Sequence, residues 1–186
     1  MNIINQLIDH KIIAEEDRDI YEYGYANFRL YAIFIIFVFI GNIILKNYLY
    51  TIIFLICVFQ LRRFSGGFHL SDSKSCLFLS TVITLIIPIL CQYYDFDITY
   101  KIIIQSVIMM IFIFLPVVDT HNKVLSDKEK AVYKRKLMFH VFIDNIILVV
   151  CLLMKLNDIY MVILYSMLLV IISSIIGYLL KRVNIM

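Results

Sequence analysis

Six apolar stretches, at about 30–45, 48–61, 77–94, 102–118, 138–154 and 159–180, take up most of this 186-residue chain. A hydrocarbon core roughly 30 Å thick is crossed by about twenty helical residues. Inside it every backbone polar group must find a partner within the fold, which a single apolar run achieves only as a helix. Composition agrees, with 62% of residues hydrophobic and 17% charged; soluble domains sit nearer one half and one quarter. The pattern therefore predicts an all-α polytopic membrane protein with six transmembrane helices. Only five Gly, two Pro and no low-complexity tract interrupt it, so neither a linker nor a separate soluble domain is expected.

The first two runs are short and borrow flanking residues such as Asn27, Arg29 and Gln60, whose long side chains can snorkel. Merging residues 30–61 into one helix would give five spans but would sink Lys46 into hydrocarbon, at about 2.5–3.5 kcal/mol. Charge asymmetry decides between the two. Six spans place 14 of the 17 basic residues on one side and only Lys46, Lys101 and Lys155 on the other. By the positive-inside rule both termini and the loops at 62–76 and 119–137 are expected in the cytoplasm of a bacterial cell.

Residues 1–28 read differently from the six-helix domain expected over 29–186. Ile3, Ile4, Leu7, Ile8 and Ile12 recur at helical spacing among polar residues, and Ile20, Tyr21 and Tyr23 suggest a second short helix. This is an amphipathic segment suited to the membrane surface. Its acids, Asp9, Glu15, Glu16, Asp17, Asp19 and Glu22, are the opposite of a basic signal-peptide start.

Chemistry concentrates in one polar loop, Arg62 to Cys76, reading RRFSGGFHLSDSKSC. Cys76 opens the third span, and Ser71, Asp72 and Ser73 are all suitable N-caps before it. A helix N-terminus favours an anion such as a thiolate, and Lys74 and His69 add positive charge. His69 precedes Cys76 by seven residues; on a straight helix the two would stand roughly 10.5 Å apart along the axis. The segment must bend for them to meet, and Gly66-Gly67 supplies that freedom. A thiol and an imidazole within reach of each other make a nucleophile and its base. Ser65, Gly66 and Gly67 could offer backbone N–H groups to an oxyanion. Arg62, Arg63 and Lys74 could hold a phosphate head group or an acidic substrate segment. Each feature also has a plainer reading: a polar loop histidine, a small apolar filler, a topology signal, a tight turn.

Together these residues resemble the AgrB family (accessory gene regulator protein B), the membrane peptidases of Gram-positive quorum sensing. The matching pattern is Arg63, Ser65, Gly66, Gly67, His69 and, seven residues on, Cys76. A weaker match is Pro116-Val117 followed by Asn122-Lys123. The resemblance implies a cysteine endopeptidase with His69 and Cys76 as its catalytic pair. Its substrate would be an AgrD-like propeptide, losing an acidic tail as its centre closes into a thiolactone or lactone. It also implies a homodimer in contact with membrane lipids.

No third member of a catalytic triad stands out; Ser65, Asp72, Ser73 and Ser75 could each orient His69. Cys57, Cys91 and Cys151 fall within spans and read as packing. His10, His121 and His140 are scattered, so no metal site and no cofactor is expected. Asp144, about two turns into the fifth span, is expected to pair with Lys136 or His140. The six basic residues of the 119–137 loop suit anionic lipid or an acidic tail, and nucleic acid is not an expected partner. The competing function is a small membrane peptide transporter without covalent chemistry, against which the scarcity of polar residues within the spans counts.

Overall fold

The structure, a computed structural model, describes residues 3–68, 72–118 and 125–182. Among these residues are seven α-helices: α1 (Ile3–Asp9), α2 (Arg18–Leu45), α3 (Tyr48–Ser65), α4 (Ser73–Tyr93), α5 (Ile98–Phe114), α6 (Asp127–Leu153) and α7 (Asn157–Arg182). No strand occurs among the described residues. By length and composition α2, α3, α4, α6 and α7 can each cross a membrane, and α5 is a shorter apolar helix of 17 residues. The fold is thus the all-α polytopic membrane architecture that the apolar runs predict.

The chain does break at Lys46. Its backbone turns into the left-handed region (φ 52°) and its N–H closes on the Asn42 carbonyl at 2.8 Å, ending α2. Across the break the Thr51 hydroxyl donates to Asn42 Oδ1 at 2.9 Å, and Gln92 of α4 donates to Asn47 Oδ1 at 2.8 Å. Buried side-chain bonds of this kind hold helices together where lipid offers no hydrophobic drive.

The N-terminal region differs from expectation in one respect. α1 is a separate short helix, but Ile20, Tyr21 and Tyr23 belong to α2, which runs unbroken for 28 residues. Nothing between Arg18 and Leu45 stops a helix: there is no proline, and Gly24 and Gly41 are single. α5 is displaced from the expected 102–118 towards the N-terminus. It ends before Pro116, since the residue preceding a proline is pushed out of helical geometry. The Lys134 ammonium caps its end by donating to the carbonyls of Phe112 and Leu115.

α7 is the central helix. In its most apolar stretch 56% of residues are buried, against 11% for α2. It packs against α3, α4, α5 and α6, while α2 lies outside against α4. A polar seam ties α5, α6 and α7. The Tyr160 hydroxyl bridges the Lys101 carbonyl (2.9 Å) and Gln105 Oε1 (3.1 Å), and Gln105 donates to Asn145 Oδ1 (2.9 Å). Lys101, almost fully buried, donates to Asn157 and pairs with Asp95. Gln105 thus bonds between helices, whereas the Ser106 hydroxyl turns back to Ile102 on its own helix.

Asp144 does not have the partner expected of it. It is completely buried and accepts from Gln60 Nε2 of α3 at 2.6 Å. Lys136 sits over the Phe64 ring and His140 stacks on that ring at 5.2 Å between centroids. The Phe64 ring, which neither sequence position advertises, engages both candidate partners instead of the carboxylate.

Candidate functional site

At the end of the bundle where α3 stops and α4 starts, the described part of the loop is folded onto α7. α3 ends at Ser65 because Gly66 leaves the helix at φ 70°, a conformation that favours glycine. The Gly66 N–H donates to the Arg62 carbonyl at 3.0 Å, and the buried Ser65 carbonyl accepts from Val118 N–H at 2.9 Å. Phe68 N–H then donates to the Ser173 carbonyl of α7 at 2.9 Å. The approach is close. A Cβ on Gly66 would lie 2.0 Å from the Val118 carbonyl oxygen, and one on Gly67 2.6 Å from Ser173 Oγ. These glycines seat the turn in a notch between α7 and the segment after α5.

The two arginines part company. Arg62 is half-buried and donates to the Phe68 carbonyl, tying α3 to the turn. Arg63 is exposed on another face, its guanidinium 5.8 Å from the Phe64 ring centroid. Lys74 is also exposed. His69 lies outside the described residues.

Asp72 is the N-cap of α4. Its carboxylate accepts from Ser75 N–H at 2.8 Å and from the Ser75 hydroxyl at 2.6 Å. The hydroxyl and then the backbone N–H of Ser75 hold the Asp72 carboxyl below the usual carboxylate range. The cap places Cys76 in the first turn, where its N–H donates to the Asp72 carbonyl at 3.0 Å. Because α4 begins only at Ser73, no continuous helix joins positions 69 and 76.

Cys76 is half-buried, whereas Cys57, Cys91 and Cys151 are buried. It lines a cavity of about 260 Å³ between α3, α4 and α7. Arg62 and Phe68 line the same cavity, and Arg62 is its only charged wall residue among those described. A thiol, a guanidinium and an apolar recess therefore share one space. No group of His, Cys, Asp and Glu among the described residues could hold a metal ion.

Sequence reasoning missed the partners of the turn. Ser173, Ser174 and Gly177 line α7 where the turn docks; the Ser174 hydroxyl donates to the Gly66 carbonyl at 3.4 Å. The available signal was their spacing, small residues three to four apart on the last helix. Gly177 on its own reads as isolated.

The family model described as Accessory gene regulator B matches residues 1–174. A curated relative from Clostridium perfringens (strain SM101 / Type A), named "Putative AgrB-like protein", is 30% identical over 159 residues, covering 76% of this chain and 74% of its own length. No solved structure matches the chain.

Proposed function

The chain belongs to the accessory gene regulator B family, a multi-pass membrane family of accessory gene regulator peptide processing, and on that premise we propose that it is a cysteine endopeptidase with Cys76 as nucleophile and His69 as base. Its substrate is an AgrD-like propeptide, from which it removes the acidic tail on the cytoplasmic side of a bacterial membrane. The observation that carries this reading is the position of Cys76. It is the least buried of the four cysteines, held by a capped first turn in the lining of a cavity that it shares with Arg62.

The chemistry follows from the residues. The Cys76 sulfur attacks the scissile carbonyl while His69 takes the thiol proton. The tetrahedral intermediate collapses, the C–N bond breaks, and His69 returns the proton to the leaving amine. An acyl-enzyme thioester remains. A thiol within the substrate then attacks that thioester, releasing Cys76 and closing a thiolactone, an exchange close to isoenergetic. A serine nucleophile would leave an ester, from which a thiolactone is uphill. Making a thioester from an amide is itself unfavourable, so water must be kept from it and the tail removed. The apolar walls around Cys76 suit the first need. Phe68, the residue before His69, lines the same cavity as Cys76. Arg62, which lines the cavity together with Cys76, would offer its positive charge to the oxyanion, and the exposed Lys74 and Arg63 would serve an acidic tail or lipid head groups.

The test is alkylation and cleavage with the purified full chain. Iodoacetamide should add one label, lost in Cys76→Ser. Cys76→Ser and His69→Ala should remain folded yet fail to cleave a synthetic propeptide. Cleavage surviving in a Cys76→Ala/His69→Ala protein would sink the reading in favour of transport without covalent chemistry.

A further inference from the structure

The cavity continues well beyond the sulfur. It passes Val58 and Phe54 on α3, Ile83 and Thr84 on α4, and Leu169 on α7. From Cys76 to Thr84, and from Arg62 to Phe54, it follows the helices for about 12 Å at about 1.5 Å per residue. Its charged wall residue, Arg62, stands at the Cys76 end, and its far walls are the apolar Phe54, Val58, Ile83 and Leu169 with the one hydroxyl of Thr84. Its volume is about 260 Å³, and an apolar cavity of about 150 Å³ already accepts benzene. It has room for one aromatic ring with space left over, or for two aliphatic side chains.

A carbonyl carbon bonded to the Cys76 sulfur brings its own side chain to the mouth of this slot. One direction leads to Arg62 and the polar surface, the other into apolar volume that water fills poorly. We infer that the slot between α3, α4 and α7 is the acyl-side specificity pocket. It takes a large apolar side chain from the residue whose carbonyl Cys76 attacks, and it rejects a charged one. This rests on the peptidase reading above and adds the substrate class at that position. Val58, Ile83 and Phe54 set the length and width of what fits. A pocket of this kind discriminates by about 10–200-fold per methylene step, and an acidic side chain facing Phe54 would be buried away from Arg62, with no charge to pair with.

The experiment needs no knowledge of the natural propeptide. The full chain in detergent is treated with N-acetyl-aminoacyl chloromethyl ketones carrying Phe, Leu, Ala or Asp side chains, and separately with iodoacetamide. Adducts at Cys76 are counted by intact mass, and rates are normalised to those of free glutathione. Expected is a preference for Phe and Leu over Ala of at least about tenfold, with Asp slowest. Val58→Phe, which fills the slot, should erase that preference without changing iodoacetamide labelling. Phe54→Ala, which widens it, should newly admit a naphthylalanine reagent and covers the case in which Val58→Phe misfolds. Equal normalised rates for all four side chains, with iodoacetamide still reacting, would overturn the pocket and leave the peptidase reading standing. Failure of every reagent at Cys76, iodoacetamide included, would bring down both.

Discussion

Gly177 of α7 and Gly67 of the α3–α4 turn touch backbone to backbone: a Cβ built on Gly177 would stand 2.8 Å from the Gly67 carbonyl carbon and 2.9 Å from Phe68 N. These are main-chain atoms and cannot swing aside. Gly177→Ala should push the turn off α7 and break the Phe68–Ser173 bond. The expected loss is about 1–3 kcal/mol of stability, with processing reduced further because Phe68 borders the Cys76 cavity. Gly24, with nothing within 4 Å of its would-be Cβ, is the control. Gly24→Ala should be neutral or slightly stabilising. Thermal unfolding in detergent, with propeptide cleavage measured in parallel, checks both.

Arg62 and Arg63 should separate by function. Arg62→Ala frees the Phe68 carbonyl and removes the cavity's charge; a misplacement of about 1 Å at a reacting centre can cost about 100-fold. Arg62→Lys should rescue it only in part, because a point charge does not reproduce the guanidinium fork. Arg63→Ala gives up an exposed cation–π contact of about 0.5–1 kcal/mol and should change cleavage less than tenfold. Cleavage rates for the three variants at equal folded protein decide the order.

The Asp72 cap predicts a pH dependence at the acid end only. Its carboxyl is held below the ordinary range in the folded protein, mainly by the Ser75 hydroxyl. Its stabilising effect is therefore complete above the unfolded value, about 3.9, and is lost as pH falls through the lower folded value. Above about pH 5 the cap should contribute no variation to the alkylation rate of Cys76. Asp72→Asn, itself a good cap, should remove the acid-side loss, whereas Asp72→Ala should fray the first turn at every pH. Hydrogen exchange of the Ser75 and Cys76 amides reads this directly.

Gln60 and Asp144 should behave as one unit. Gln60→Leu strands a fully buried carboxyl and should cost about 1–3 kcal/mol. Adding Asp144→Leu should recover most of that, because two apolar side chains leave nothing unsatisfied. The coupling is measured by a double-mutant cycle. Additive losses would mean that the 2.6 Å contact contributes nothing.

Local pattern carried much of this protein. The helices were legible because apolar runs need intrasegment hydrogen bonding in a bilayer, and the break at Lys46 because one lysine and the charge balance forbade a longer rod. A cap among Ser71, Asp72 and Ser73, with Cys76 in or near the first turn, was legible from residue type and order; that Asp72 is the one was not. The fusion of Ile20–Tyr23 into α2 was less so, since amphipathic spacing says where apolar faces lie and not where a helix stops. Asp144 was misassigned to Lys136 or His140 because neighbours on its own helix were the only partners a linear reading could offer.

The sequence by itself determined that this chain is a helical membrane protein with a polar loop between its second and third long helices, for periodicity, capping and charge balance are short-range physics written in neighbouring residues. Only the tertiary structure decided that Gly66 and Gly67 are seated against Val118 and α7, that Arg62 rather than Arg63 faces Cys76, and that an apolar slot opens behind the sulfur. Those arrangements join residues up to about a hundred positions apart, and close packing selects them by shape, which no local pattern encodes.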